Sequence, residues 1–261
     1  MELGQLPQIW AGLERLRVGV EQLDAAYERS QILTARRLDE AQPAGIRVYI
    51  SAHRLINVGF DNLTSLQWLL EDRGATVWAP WTLLRAVFES GFHALWVLEP
   101  DDGASRRLRG LRLEVMDFRE RERFRKCFPP QSKAAANDAT MRDANTTTKY
   151  KSEAAALGVK WEQLTKPNLV DELKKLRTVG AAGADMPLTF EGAWRALSGL
   201  QHGYAYASAY ASDMEAATPI PGGQRVTMSI RDEGFQALGM TACFLLHEAT
   251  ALYFTRCSRV S

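Results

Sequence analysis

The chain predicts an all-α fold, an antiparallel helical bundle, on three observations. Apolar residues recur at three- and four-residue spacing through most of its length. The breaks between these periodic stretches fall at Gly, Pro and Asp. Strand signals are nearly absent, and nothing alternates in a βαβ pattern. At 261 residues, 46% hydrophobic and 24% charged, the chain has ample material for a core. It shows no internal repeat and no convincing linker, so residues 1–261 read as a single domain.

The elements follow in order. Residues 5–39 carry Ile9, Leu13, Leu16, Val20, Leu23 and Ala26 at helical spacing, and Pro43 punctuates the end. Residues 45–72 form a second long helix, stopped at Gly74. Pro80 fits the first turn of a third, which runs to "LEPDDG". Asp101 or Asp102 caps a fourth, which continues to about Lys126. Residues 133–157 are polar and alanine-rich; their threonine run is a poor helix former, so they read as a solvated helix or a partly mobile insertion. A short helix follows Pro167. Thr189 is placed as an N-cap, with Leu188 set for a hydrophobic staple. "YAYASAYAS" alternates like a strand, but its alanines favour helix continuation. "TPIPGGQRVTMSIRDEG" reads as a turn with one short extended piece, and the last helix spans about 232–257.

Several function classes drop out. A formal charge of +1 gives no whole-chain bias toward nucleic acid or membrane. Cys127, Cys243 and Cys257 are odd in number and have no CxxC spacing, which suits free thiols in a reducing compartment. The N-terminus has early acidic residues and no apolar h-region. The apolar stretches at 75–98 and 235–254 are interrupted by Arg85, Glu89 and His93, and by His247 and Glu248, so they read as core helices of a cytoplasmic protein without membrane spans. His53, His93, His202 and His247 make neither HxxxH nor HExxH, and no metal or other cofactor is expected. His53 and Asn57 lie one turn apart and read as satisfied core polar groups. No GxSxG or GxxxxGK[ST] occurs.

Two polar stripes remain. From 75 to 98 the only formally charged residues are Arg85 and Glu89. At about 100° per residue, Trp81, Phe88, Phe92 and Trp96 lie near Arg85, while Leu83, Val87, Ala94 and Leu98 cover the opposite side. The pair is therefore expected to be enclosed, in contact at i,i+4, and to need a further acceptor from another helix. In "FEGAWRALSGLQHG", Glu191, Arg195, Ser198 and His202 line one face, with Trp194, Leu197 and Leu200 pointing elsewhere. The two stripes are expected to face each other.

Arg195 to His202 has the form R-x6-H and resembles the Rx4–6H motif of the HEPN superfamily of all-helical proteins. "TLLRAVFESGFHALWVLEP", the following "SRRLRGLR" and the later "ALSGLQHG" resemble a group of bacterial proteins in that superfamily that pair an LLRxxxE helix with an LSxxxH helix. The likeness covers about 45–125 and 185–257, leaving the N-terminal helix and a polar insertion at 130–165 as additions. It implies a metal-independent ribonuclease of the toxin–antitoxin or phage-defence type, working as a homodimer and partnered by RNA and by an antitoxin or other protein. Arg195 would stabilise the charged phosphorane, and His202 would assist proton transfer, with Glu191, Ser198, Arg85 and Glu89 in support. Active members usually carry a polar residue after the arginine, where this chain has Ala196. The alternative is a non-catalytic binding protein whose Arg/Glu/His groups form a buried structural network. Arg106 to Lys126 holds nine basic and four acidic residues. Arg106, Arg107, Arg109 and Arg112 could contact RNA phosphates, or the helix could be a solvated face of alternating charge, with Arg109 or Arg112 turned inward to the Arg85–Glu89 network.

Overall fold

Helices make up most of the regular structure among the described residues, which in the computed structural model are 2–27, 32–74, 76–176 and 188–258. In chain order they are α1 (Leu6–Tyr27), α2 (Ala35–Glu40), α3 (Gly45–Arg73), α4 (Ala79–Leu98), α5 (Gly103–Cys127), α6 (Lys133–Ala156) and α7 (Leu169–Leu173). Then come α8 (Phe190–Gln201), α9 (Ala205–Ala211), strands β1 (Ser212–Ile220) and β2 (Gly223–Ile230), and α10 (Asp232–Cys257). Helix starts are capped by side chains: Thr34, Asp102, Ser132 and Thr189 accept from Arg37 N (3.1 Å), Ser105 N (2.7 Å), Ala135 N (3.2 Å) and Gly192 N (3.1 Å).

The helix that is apolar all round becomes the centre. Trp81, Leu84, Val87, Phe88, Phe92, Leu95 and Trp96 of α4 are buried, with α3 and α10 packed along its sides. A Cβ on Gly91 would stand 2.7 Å from Leu246 N, so this glycine lets α4 and α10 cross almost backbone to backbone. α1 lies on α10 through Leu6, Leu13 and Val20, two turns apart each. α5 lies on α3, and α8 on α4. Among the described residues α10 alone is long and apolar enough to cross a membrane, and 56% of its most apolar window is buried in the bundle.

Two expectations change and one is decided. The periodicity read as one helix over 5–39 is two: α1 is described over Leu6–Tyr27, residues 32 and 33 are not helical, and Thr34 caps α2 afresh. The polar stretch from Lys133 is a largely solvated helix, as one of its two readings held, docked on α5 by a small satellite core in which Tyr150 meets Phe118 edge-on at 5.8 Å. "TPIPGGQRVTMSI" belongs to a two-stranded antiparallel hairpin. Its period-two signal, Val226–Met228–Ile230, is short, and only Ile230 is buried against the body. A ribbon that leaves most of its side chains in solvent needs little apolar alternation to form.

The arginine-rich start of α5 is structural. Arg106, expected as a phosphate contact, is buried. Its Nε and Nη2 donate to Asp39 Oδ2 (2.7 Å) and Oδ1 (3.0 Å), and its Nη1 donates to the carbonyls of Pro100 and Asp101, both at 2.7 Å. Tyr49 OH donates to Asp39 at 2.8 Å, and burial together with that carboxylate raises the tyrosine's pKa. Arg109 turns inward, as one alternative held, but to Trp96 O (2.6 Å) and Glu99 Oε2 (3.2 Å) rather than to Arg85–Glu89. Arg107 donates to Gly103 O and Pro43 O, both at 3.2 Å, and Arg112 is partly buried. The carbonyls at and just beyond the end of α4 recruit the Arg106 and Arg109 guanidiniums, which turns those two arginines away from an RNA face.

Removing one partner of a buried ion pair strands the other. Asp39→Ala is expected to cost roughly 3–5 kcal/mol in chemical denaturation. Arg106→Lys should recover little of the loss, because an ammonium cannot span both carboxylate oxygens and two carbonyls.

Candidate functional site

Arg85 and Glu89 meet as their i,i+4 spacing requires, with Nε to Oε1 at 2.8 Å. The further acceptor exists: Arg85 Nη1 donates to the side-chain oxygen of Gln201, from α8. Glu89 also accepts from Trp194 Nε1 at 3.3 Å. The polar contacts between α4 and α8 are thus made by Trp194 and Gln201, beside the buried Ala193, Leu197 and Leu200. Trp194 and Gln201 lie about 20° apart on α8 and more than 90° from Arg195. The stripe of Glu191, Arg195, Ser198 and His202 turns away from α4, a correction to the expected face-to-face arrangement. Nor is the pair enclosed: the Arg85 and Glu89 side chains keep 19% and 34% of their exposure. The α4 flank that carries them is only partly covered by the shorter α8.

His93 adds a further polar contact on the same helix. Its Nδ1–H donates to Glu89 O at 2.7 Å, and its ring lies edge-on to Phe92 at 5.0 Å. Burial lowers its pKa, opposed by the Glu89 carbonyl and carboxylate, while Lys166 lowers it further.

On the outer face of α8, Arg195 donates through Nε and Nη2 to Glu191 Oε1 at 3.0 and 2.9 Å, and its side chain is 59% exposed. Lys174, after α7, reaches Glu191 Oε2 at 3.3 Å. Arg195 first and Lys174 second hold the Glu191 carboxyl below the usual range. Ser198 is partly buried, and its carbonyl accepts the His202 N–H at 3.1 Å. His202 is the exposed C-cap of α8.

The helix stops there because Gly203 takes φ +69°, a conformation that an L side chain resists, and "YAYASAYA" restarts as α9 instead of continuing α8. The turn places three exposed tyrosines, Tyr204, Tyr206 and Tyr210, beside the stripe. Their alternation with alanine was noticed in the sequence, but not their place beside His202. The His202 and Tyr204 rings are 5.8 Å apart, and those of Tyr204 and Tyr206 are 6.0 Å apart. Tyr206 OH donates to Arg195 O at 3.2 Å, over Gly199, where a Cβ would come within 2.6 Å of that hydroxyl. No group of His, Cys, Asp and Glu among the described residues is arranged to hold a metal ion.

Arg85→Ala or Glu89→Ala is expected to cost about 1–2 kcal/mol in urea unfolding, well below the value for a sealed pair, because solvent reaches both groups. A lowered His93 pKa means that the unfolded chain binds its proton first as pH falls. Stability should therefore be lost below about pH 6.5, and His93→Gln should flatten that loss between pH 7 and 5.5.

No protein-family model, no curated protein and no solved structure matches the chain.

Proposed function

We propose that the outer face of α8 is the working surface of a metal-independent ribonuclease of the HEPN type, in the toxin–antitoxin or phage-defence class. One observation carries the reading. Arg195 and His202 stand open to solvent, while Phe190, Ala193, Leu197 and Leu200 bury the opposite face of α8 and Trp194 and Gln201 make its polar contacts to α4. Neither side chain of the motif pair is buried in the core, and the residue types suit phosphoryl chemistry. The 2′-oxygen of a ribose attacks the adjacent phosphorus and the bond to the 5′-oxygen breaks, leaving a 2′,3′-cyclic phosphate and a 5′-hydroxyl. His202 takes the proton from the 2′-hydroxyl or supplies one to the leaving 5′-oxygen. Arg195 forks onto the phosphorane oxygens, exchanging Glu191 for the more highly charged partner. Seven helical residues span about 10 Å. One α8 therefore holds the two groups a long reach apart, and a homodimer pairing Arg195 of one copy with His202 of the other closes the distance. An antitoxin-like protein would act by covering this face.

A second reading is a non-catalytic helical interaction protein. The ladder Lys174–Glu191–Arg195 favours it, since it already gives the arginine a carboxylate.

The purified protein, incubated with mixed RNA in EDTA, is expected to release fragments ending in 2′,3′-cyclic phosphate. His202→Ala should slow this about 10²–10⁴-fold at unchanged melting temperature. Wild-type protein inert on diverse RNAs would sink the ribonuclease and leave the second reading.

A further inference from the structure

We propose that Tyr204, Tyr206 and Tyr210 form a base-stacking platform that holds single-stranded RNA across the α8–α9 corner. The inference deepens the ribonuclease reading and rests on it for the choice of RNA. All three rings are exposed, at 54%, 60% and 40%. Tyr206 and Tyr210 are one turn apart on α9, and Tyr204 precedes it. Successive rings from His202 to Tyr206 stand 5.8 and 6.0 Å apart and are tilted by 36° and 39°. They are not stacked flat on one another, so ring surface stays open to a base. Tyr206 is anchored, lying over Gly199 with its hydroxyl on Arg195 O.

The surroundings favour a nucleic acid over a protein partner. Two arginines flank the row: Arg195, whose backbone carbonyl accepts the Tyr206 hydroxyl, and Arg231, whose Nη1 donates to Tyr210 O at 3.1 Å. Lys174 stands behind the first. The carboxylates facing them are Glu191 and Asp213, each already engaged with an arginine. A phosphate chain would find one arginine on the helix that anchors Tyr206 and another beside Tyr210. Between the tyrosines the chain carries Ala205, Ala207, Ser208 and Ala209, with no large aliphatic side chain of the kind that anchors a protein interface. Flat rings on an alanine scaffold suit flat bases. A duplex, with its bases paired and stacked internally, cannot use them. Few cations take part, so stacking must supply most of the affinity, and the salt dependence should be shallow.

The test is fluorescence anisotropy with a 2′-O-methyl oligoribonucleotide, which the wild-type protein can bind but cannot cleave through a 2′-oxygen. The wild type is expected to bind the single strand and to bind its blunt duplex at least tenfold more weakly. Tyr204→Ala and Tyr206→Ala should each weaken the single strand about fivefold to a hundredfold. Tyr204→Trp, which restores a ring, should bind like wild type, and melting curves identify any variant that fails to fold. The platform is overturned if the wild type does not bind the strand, if the duplex binds as well, or if folded alanine variants bind like wild type. It is also overturned if the alanine variants instead turn a dimer into a monomer in sedimentation without changing affinity. Tyrosine-dependent binding by a protein that cleaves no RNA would remove the ribonuclease and keep the platform. Cleavage indifferent to the tyrosines would do the reverse.

Discussion

The bundle depends on how α4 ends. A helix with a hydrophobic surface on every side can be surrounded completely, but its last carbonyls then need donors that the interior does not hold. Here arginines bring them from two directions. Arg109 of α5 serves Trp96 in the last turn, and in the connection just beyond it Arg106 of α5 serves Pro100 and Asp101, while Arg256 of α10 reaches Pro100 O at 3.1 Å. Each guanidinium also meets a carboxylate: Asp39, Glu99 or Asp101. The helix dipole adds to the attraction of cations at this end. One corner, Glu99 to Asp101, thereby ties α2, α4, α5 and α10 together, and Tyr49 brings in α3 through Asp39.

This explains why some of the molecule was legible in the sequence and some was not. The long helices α3, α4, α5 and α10 could be read because each carries many periods of one pattern and a stop or cap of known chemistry, such as Asp102 or Gly74. The i,i+4 contact of Arg85 and Glu89 could be read because both lie on one helix. Partners distant in sequence could not. Asp39 is 67 positions from Arg106, and nothing local marks it as the acceptor of a buried charge. The arginine run was therefore open to a nucleic-acid reading, which the inward turn of Arg106 and Arg109 withdraws for those two residues. Breaks such as that between α1 and α2, and the hairpin at 212–230, were obscured because short elements have too few residues to show a period.

The stripe on α8 shows a different limit. Helical angles correctly grouped Glu191, Arg195, Ser198 and His202, but not which way the group would turn. Two faces of α8 competed for α4: one with Trp194, Leu197 and Gln201, the other with the charged set. Burying the charged set would desolvate an arginine and a glutamate. Burying the first face covers an indole and a leucine, and sets one indole N–H and one amide oxygen on the half-exposed Arg85–Glu89 pair. The less costly face won, and the charged one was left in solvent.

That choice separates architecture from chemistry along a single helix. Were Arg195 in the seam, substituting it would confound folding with activity, and its fork would be saturated by interior acceptors. On the outside it holds Glu191, a contact that water and salt weaken and that a phosphate can displace. Gly203 completes the arrangement. By ending α8 at His202 it keeps the imidazole at a helix terminus, where no following turn covers it, and it folds the tyrosines of α9 back alongside. A helix carried through 203 would have sent Tyr204 and Tyr206 around the α8 axis to different sides. The break is what gathers a cation, an imidazole and a row of aromatic rings on one open surface.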